Sequence, residues 1–577
     1  MALVIVLVVF RTVGATPIPV VAAVVPIILA IAAASIIGQA YQVSFFILNI
    51  TFTFGLALGI DYTLFIVGRY REERAAGLEK TEAIAKAGAT ATRAVFFSGV
   101  TVMLALVGML MVPQSIFFSL ALGAILAAVM AVLVALTLLP ATLSLMGDRI
   151  DAWRVPFLGR GSLVSDESGS GYWAWITRLV MGRPVVSLLL VVGLLVAATV
   201  PIVDIKLGAS GISTFPGDMR SKRGFEILQR EFSAGLVSLT DIVVDGAADS
   251  TQVQDGIDRL TASIEADSTR VAGRPIFGPT EQAISADGGI ALVTVPINAD
   301  GMSNDAVDAI KRLREEYVPD AAIPARVYVG GNTAANVDFN DLAKNWTPIV
   351  FAFVLSLSFV LLTVVFRSLV VPVKAIIMNL LSVGAAYGLL VLVFQKGFAA
   401  DFLGFQEVET IASWLPLFLF SILFGLSMDY HVMLLSRIRE RYDQTKNNQE
   451  SVAFGLKTTA RMITGAALIM VAVFGGFAMA DLVMFQQMGF GLGVAIFLDA
   501  TIVRTILVPA SMRLLGDFNW YFPRFLEWLP DLRVEAEPAA RQAPARAPAF
   551  GGRRIVITTA ASTAGVQQKI RRTLFRR

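Results

Sequence analysis

Ten long apolar stretches constrain the fold of this chain more than any other feature of its sequence. A helix needs about 20 mostly apolar residues to cross the hydrocarbon core of a bilayer. Stretches of this kind lie roughly at 18–38, 45–68, 94–112, 115–143, 185–203, 347–366, 372–394, 413–436, 462–480 and 485–512. Charged residues make up only 16% of the chain, against about 25% in soluble domains. The sequence therefore predicts a polytopic α-helical membrane protein and excludes a water-soluble enzyme.

Residue types that support metal or cofactor chemistry are scarce. The chain has no cysteine, and its single histidine, His431, cannot build a polyhistidine metal centre. It lacks the GxxxxGK[ST] phosphate loop, so ATP bound to this chain is not expected to supply energy. We expect no metal, no cofactor and no enzymatic activity, because the sequence shows no clustered nucleophile, metal ligands or acid–base pair at the membrane interface.

The distribution of basic residues predicts the orientation of the chain. Lys and Arg tend to remain on the cytoplasmic side of a membrane, and 29 of the 47 here fall in 69–93, 147–183, 437–461 and 513–577. If every apolar stretch crosses, these four segments share the cytoplasmic side, and the long polar insertion at 204–345 is extracytoplasmic. The net charge of +3 therefore reflects sidedness in the cell membrane and gives no reason to expect nucleic-acid binding.

The insertion at 204–345 has the pattern of an α+β domain. Alternating apolar residues predict strands near 239–245, 271–278, 289–297 and 325–330, and helical periodicity predicts helices over 251–266 and 303–317. The order βαββαβ is that of the ferredoxin-like unit. We therefore predict one ferredoxin-like domain at 204–345.

The apolar stretches form an internal repeat. Gly59-Ile60-Asp61-Tyr62 and the following Arg69-Tyr70-Arg71-Glu72 match Ser427-Met428-Asp429-Tyr430 and Arg437-Ile438-Arg439-Glu440 at a constant offset of 368. Two five-helix repeats are predicted, at 1–146 and 346–515, separated by a cytoplasmic loop (147–184), a connecting helix (185–203) and the α+β insertion. Residues 516–577 are predicted to form a cytoplasmic, basic and partly disordered tail.

The repeat also predicts that a portion is missing before Met1. The second repeat is preceded by one helix and one extracytoplasmic domain, whereas Met1 lies within the first helix of the first repeat. We therefore expect an absent first helix, an absent first domain and the absent half of the next span. A natural half-lost paralogue or a misassigned start codon would give the same pattern.

Two acidic residues at matching depth are the strongest candidates for function. Asp61 and Asp429 lie within apolar stretches, where an ionisable residue costs about 2.5–3.5 kcal/mol and is by default functional. Small neighbours, Gly55 and Gly59 in one repeat and Gly425 and Ser427 in the other, allow close helix approach. Two-fold related repeats would place both carboxyl groups in one buried site that takes up and releases protons. The alternative is that they only hydrogen-bond helices together.

Other polar groups are candidates for supporting roles. Ser98 lies in the next apolar stretch and is within reach of such a site. Asp499 and Arg504 are five residues apart, which is about 500° of α-helix and leaves their side chains roughly 140° apart. We therefore expect each to pair with a neighbouring helix, Arg504 either tuning a buried acid or forming a structural ion pair. His431 points away from the second Asp, which favours an interfacial position over a proton relay.

The segments GLALGIDYTLFIVGRYREE (55–73), FGLSMDYHVMLLSRIRE (424–440) and LDATIVRTILVPA (498–510) resemble the MmpL branch of the resistance-nodulation-division (RND) transporter superfamily. The resemblance covers nearly the whole chain. It implies a proton-motive-force-driven exporter of lipids or other hydrophobic molecules, with an RND-like helix bundle of twelve helices and two porter-like domains.

The resemblance also implies roles for individual residues. The proton-relay pairs of the family fall on Asp61, Tyr62, Asp429 and Tyr430. Ser98 falls near the relay, and Phe65 is the aromatic residue one turn after the first pair. The chain departs from the family pattern at Met433, where some members have an aromatic residue, and in the absent first helix and first porter domain.

Two classes of function stay open on the sequence. The first is a proton-coupled transporter whose partners are a hydrophobic or lipid substrate, protons and membrane lipids. The second is a non-transporting or accessory protein: a scaffold, a sterol-sensing-like regulator, or a relative of the proton-driven accessory subunits of the Sec system that handles polypeptide. The sequence leaves open the cargo, a homo-oligomer and envelope partner proteins.

Overall fold

The computed structural model describes residues 7, 12, 14–151, 172–209, 211–232 and 238–528 of the 577 residues. Its helices, in chain order, are α1 (Pro17–Ile37), α2 (Phe46–Ala75), α3 (Lys80–Leu110), α4 (Ser115–Met146), α5 (Tyr172–Gly182), α6 (Pro184–Thr199), α7 (Arg220–Ile227), α8 (Thr251–Glu265), α9 (Asn304–Arg312), α10 (Asn332–Phe366), α11 (Val370–Leu390), α12 (Leu415–Thr445), α13 (Asn448–Ala478), α14 (Val483–Leu498) and α15 (Val508–Leu515). Its strands are β1 (Leu207–Gly208), β2 (Leu239–Asp245), β3 (Arg270–Val271), β4 (Arg274–Pro275), β5 (Glu281–Ile284), β6 (Ile290–Pro296), β7 (Arg326–Gly331) and β8 (Ile411–Ala412).

The membrane region contains a helix at the position of every predicted span. Within the described ranges, nine continuous helices are long and apolar enough to cross a membrane, and α13, which bends by 45°, gives a tenth span. The last span runs through α14, a π-helical segment at Asp499–Leu507 and α15. The polytopic helical fold is therefore confirmed, whereas the predicted tail beyond 528 lies outside the described residues.

The two repeats meet through reciprocal helix contacts. Helix α2, which carries Asp61, packs against α13, and helix α12, which carries Asp429, packs against α3. Each Asp-bearing helix thus contacts the helix that follows the Asp-bearing helix of the other repeat. This arrangement is the one that a pseudo-two-fold relation between the repeats produces.

Glycines permit the closest of these helix approaches. A Cβ atom on Gly59 would lie 2.6 Å from both Ala22 O and Ala23 Cα, which are backbone atoms of α1. A Cβ atom on Gly425 would lie 3.2 Å from Val102 Cα in α3. The close approach predicted from small residues is therefore confirmed at these two positions, and larger side chains there would push the helices apart.

The described residues of 205–331, between α6 and α10, form the α+β domain. Its sheet is wholly antiparallel with the strand order β5-β6-β2-β7, and residues of α8 and α9 share its apolar core. Alternate residues of β2 and β6, such as Ile242, Val244 and Val293, point into that core. The predicted ferredoxin-like unit is confirmed, because this strand order is the one that βαββαβ connectivity gives.

The prediction of a strand over 271–278 is wrong. Residues 270–275 instead form the short hairpin β3–β4, and the strand that joins the sheet is β5. Ala272 and Gly273 both have positive φ, 49° and 82°, which produces a tight hairpin turn inside the predicted strand. Pro275 and Pro279 also lack the N–H that a ladder needs.

The carboxyl group of Asp267 ties the end of α8 to α9. Arg312 Nη1 lies 2.5 Å and the Tyr317 hydroxyl 2.7 Å from Asp267 Oδ2, while Thr269 N donates to Oδ1 at 2.6 Å. Burial alone raises the pKa of Asp267, but the hydrogen bonds from Thr269 and Tyr317 and the charge of Arg312 outweigh it and lower that pKa. Burial and the bond to Asp267 raise the pKa of Tyr317 to about 12.

Asp267→Asn is expected to lower the free energy of unfolding of the α+β domain by about 1.5–3 kcal/mol at neutral pH, the value of hydrogen bonds to a charged group. Because the folded pKa is lowered, the stabilisation is present above the unfolded value of about 3.9 and is lost as pH falls through the folded pKa. Hydrogen exchange of β2 and β6 amides in the intact protein measures the effect. Asp258→Asn, on the exposed side of α8, is the control; equal exchange in both variants would contradict the prediction.

Candidate functional site

The two membrane carboxyl groups lie in one buried site between the repeats. Asp61 is 7% exposed and Asp429 is 8% exposed, and the two groups interact electrostatically. The Asp61 carboxyl interacts with the Tyr430 hydroxyl, so the acid of the first repeat faces the tyrosine of the second. Tyr62 in turn lies near Asp429. Each acid therefore interacts with the tyrosine of the other repeat, and the Tyr430 hydroxyl also donates to Met470 Sδ at 3.8 Å.

Ser98 completes the second of these pairs. Its hydroxyl lies 3.5 Å from the Tyr62 hydroxyl and interacts with the Asp429 carboxyl. Helix α3 carries Ser98 and packs against α12, which explains how a residue of the first repeat reaches the acid of the second. Thr101, one turn further along α3, instead donates to the backbone oxygen of Phe97 at 2.9 Å.

Asp499 and Arg504 form an ion pair with each other, so the prediction that they pair with neighbouring helices and not with each other is wrong in its second part. Both also bond Ser427 of the neighbouring α12. The segment Asp499–Leu507 is π-helical, and in a π-helix each N–H bonds to the carbonyl five residues earlier. Residues five apart therefore lie on the same face, whereas the prediction assumed an α-helix. The Arg504 side chain is 1% exposed and the pair is buried.

Arg504 also links the last span to α12. Its Nη2 donates to Ser427 O at 2.8 Å, and its guanidinium lies 4.4 Å from the centre of the Tyr430 ring. Its charge acts on both Asp61 and Asp429. A fixed positive charge therefore lies beside both membrane acids. At the offset of 369, the first repeat has Met130 and Ala135 in place of Asp499 and Arg504.

Asn379 was not predicted as a site residue, although it is a polar residue within a predicted span. It is 1% exposed on α11, and Ser427 Oγ lies 2.9 Å from both Asn379 Oδ1 and Asp499 Oδ2. A cavity of about 20 Å³ lies at this cluster and is also lined by Tyr430 and Arg504. Its volume is sufficient for one water molecule, and most of its exposed lining is apolar. The second repeat therefore adds a polar cluster next to the acid–tyrosine pairs.

Two other candidate residues lie apart from these contacts. Phe65 is half-buried and packs against the apolar core of the helix bundle. His431 is fully buried, so its predicted interfacial position is wrong, and both ring nitrogens lack a hydrogen-bond partner among the described residues. The described residues contain no group of three or more His, Cys, Asp or Glu side chains that could hold a metal ion.

The site combines groups that can accept and donate protons. Carboxyl and hydroxyl groups alternate across the repeat interface, and the surrounding helices are apolar. Each carboxyl group has a protonated and an ionised state with different hydrogen-bonding needs. A change in protonation therefore alters contacts that join one repeat to the other.

Comparisons with known proteins agree on one family. Residues 1–187 and 213–540 match the model of the MMPL family. The "Mycolic acid-containing lipids exporter MmpL11" of Mycolicibacterium smegmatis is 36% identical over 92% of this chain and 56% of its own length. The "Heme uptake protein MmpL11" of Mycobacterium tuberculosis is 35% identical over 90% and 53%. The "Trehalose monomycolate exporter MmpL3" of the same organism is 31% identical over 86% and 56%. The chain thus spans about half the length of these relatives.

Solved structures show the same fold. The crystal structure of SecDF in its super-membrane-facing form aligns with a TM-score of 0.54 over 89% of this chain and 60% of the SecDF chain. The sequence identity is 14%, so this similarity concerns the fold alone.

Proposed function

Because the chain belongs to the MMPL family of the RND superfamily, we propose that it is a secondary transporter that uses inward proton flow to export lipids or other hydrophobic molecules across the cytoplasmic membrane. The observation that carries this proposal is the crossed pairing in the membrane: Asp61 with Tyr430, and Asp429 with Ser98 and Tyr62. Acids that served only to hold two helices together would not need to be repeated at matching positions with a tyrosine beside each.

The crossed pairs give proton transfer a mechanical consequence. An ionised carboxyl group accepts hydrogen bonds only, whereas a protonated one also donates. Taking up or releasing a proton at Asp61 or Asp429 therefore changes how α2 and α12 hold residues of the opposite repeat. One proton moving through 100 mV supplies about 2.3 kcal/mol, which is enough to change the population of two packing arrangements of the bundle about 50-fold.

Arg504 and Asp499 are proposed to support the relay from one side. The guanidinium lies against the Tyr430 ring and acts on both membrane acids, so it biases their exchange of protons. Because the first repeat has no counterpart, the two acids differ in environment. Phe65 is proposed to support the relay through packing alone.

The cargo is proposed to be a lipid, in line with the names of the mycobacterial exporters to which the chain is similar. It would move along the α+β domain on the extracytoplasmic side and not through the narrow polar site between the repeats. The loops rich in Lys and Arg, and the tail, would face the cytoplasm.

Reconstitution tests this function directly. Proteoliposomes with an imposed proton gradient are expected to move a labelled mycolic acid-containing lipid and to take up protons with it, whereas an uncoupler is expected to stop both. Heme is tested as a second cargo, because one similar protein is named a heme uptake protein. A scaffold would give neither lipid movement nor proton uptake, and a proton-driven accessory subunit that handles polypeptide would give no lipid movement. Either result would contradict the proposal.

Ser98→Ala is expected to slow proton-coupled transport by roughly 10-fold, because a hydrogen bond to a charged group contributes about 1.5–3 kcal/mol and Ser98 bridges Tyr62 and Asp429. Thr101→Val is the matched control, since Thr101 is one turn away and bonds only the backbone of its own helix. Proton uptake by proteoliposomes measures both variants. Equal rates in the two would remove Ser98 from the relay.

A further inference from the structure

The α+β domain is joined to the membrane bundle at a small two-stranded sheet. Strand β1, at the start of the domain, pairs in parallel with β8, which directly precedes α12. Ile411 N donates to Lys206 O at 2.8 Å, and Ser413 N donates to Gly208 O at 3.0 Å. The domain is therefore hydrogen-bonded to the segment that leads into the helix carrying Asp429.

A buried glutamine holds the other edge of β8. Gln487 lies in α14 and is 0% exposed. Its side-chain oxygen accepts from Ala412 N at 3.1 Å, and its Nε2 donates to Thr410 O at 3.2 Å. The amide thus makes the two hydrogen bonds that a third strand would make. Strand β8 is therefore bonded to the domain on one edge and to α14 on the other.

Helices α14 and α12 both run from this sheet to the buried polar groups between the repeats. Gln487 is twelve residues before Asp499 along α14, which corresponds to about 18 Å of helix. Helix α12 starts at Leu415 and reaches Asp429 fourteen residues later, about 21 Å away. These are rigid elements with one end at the polar site and the other end at β8.

Among the described residues, the first repeat has a simpler connection at this place, in which Ser119 Oγ on α4 accepts from Ser44 N, just before α2, at 2.7 Å. At the offset of 369 that relates the last spans, Gln487 corresponds to Phe118. The Phe118 ring packs against Tyr41, with ring centres 5.9 Å apart. The amide that both accepts from and donates to one edge of a strand is therefore found in the repeat whose loop pairs with the α+β domain.

We propose that Gln487 is a positioning residue that couples the Asp–Tyr pairs to the α+β domain, by making β8, α12 and α14 move as one unit with β1. This inference rests on the proposed function, because it assumes that protonation of Asp429 changes the packing of the bundle. Coupling of this kind means that a change at one site depends on the connecting residue.

A mutant cycle tests the coupling without a known cargo. The chain has no cysteine, so Gln39→Cys, in the α1–α2 loop, and Asp258→Cys, on α8, provide two spin-label sites on exposed residues. In nanodiscs, Asp429→Asn is expected to shift the distance between these labels in the parent chain. The same substitution in a Gln487→Ala background is expected to give no shift.

The neighbouring glutamine provides the control. Gln486 is also buried, but its Nε2 donates to Ala480 O at 2.9 Å and not to β8. Gln486→Ala is expected to keep the full shift. If Gln487→Ala does not fold, Gln487→Glu, which keeps an acceptor for Ala412 N, is used and is expected to reduce the shift.

The outcomes separate the two proposals. A shift that persists unchanged in the Gln487 variant, or that is lost equally in Gln486→Ala, contradicts the inference alone. A parent chain in which Asp429→Asn produces no shift contradicts the inference together with the proposed function.

Discussion

Asp429→Asn is expected to reduce proton-driven transport by roughly 10²–10⁴-fold, the effect of removing a positioned proton-transfer group. Asparagine has nearly the size of aspartate but neither releases nor takes up a proton in the relevant range. The contact with Ser98 and the packing against α3 are therefore retained, while the chemistry is removed. Asp61→Asn is expected to have a comparable effect, because its pairing with Tyr430 mirrors the second pair.

The control for this experiment lies on the same helix. Asp443 is near the end of α12 and forms half-exposed ion pairs with Arg439 and Lys446. Because exposed ion pairs contribute only about 0–1 kcal/mol, Asp443→Asn is expected to keep transport near the parent rate. Proton uptake and lipid movement by proteoliposomes are measured for each variant. Full activity in Asp429→Asn would contradict the proposed relay.

Arg504→Met is expected to destabilise the membrane region strongly. It removes the partner of Asp499 and leaves a buried carboxylate without its counter-charge, which costs about 3–5 kcal/mol. It also removes the bond to Ser427 O and the contact with the Tyr430 ring. Transport is therefore expected to fall together with stability, as measured by thermal unfolding in detergent.

A double variant separates the two effects of Arg504. Adding Asp499→Asn removes the unpaired charge, so the double variant is expected to recover most of the lost stability, as replacement of both members of a buried ion pair often does. Transport is expected to stay low, because the guanidinium no longer acts on the membrane acids. A double variant with parental transport would assign Arg504 a purely structural role.

The features that follow from local periodicity were predictable from the sequence. Long apolar stretches gave the spans, alternation gave β2, β6 and β7 of the α+β domain, and the constant offset of 368 gave the repeat. The same offset pointed to Asp61 and Asp429, because a repeated acid at matching depth requires a shared environment.

The errors arose where the backbone departs from regular geometry. The ion pair of Asp499 with Arg504 depends on a π-helical segment, and no apolar period in the sequence distinguishes such a segment from an α-helix. The hairpin at Ala272 and Gly273 depends on two positive φ angles inside a run that otherwise has the pattern of a strand.

Contacts between segments that are far apart along the chain could also not be predicted from the sequence. Asn379 and Gln487 are single polar residues in apolar spans, and each has its effect through a partner more than 40 residues away along the chain, Ser427 for Asn379 and β8 for Gln487. An ionisable residue in a span is a recognised signal, whereas a lone amide is commonly a helix contact. Treating both kinds of polar residue as candidates would have identified them.

Difference infrared spectroscopy of the buried carboxyl groups, during a rapid change of pH, tests the crossed Asp–Tyr pairs most directly. In the parent chain, a band from protonated buried carboxyl groups is expected to change with pH, to weaken in Asp61→Asn and in Asp429→Asn, and to vanish in the double variant. A band that is unchanged in the double variant would contradict proton exchange at this site, whatever the transport assays show.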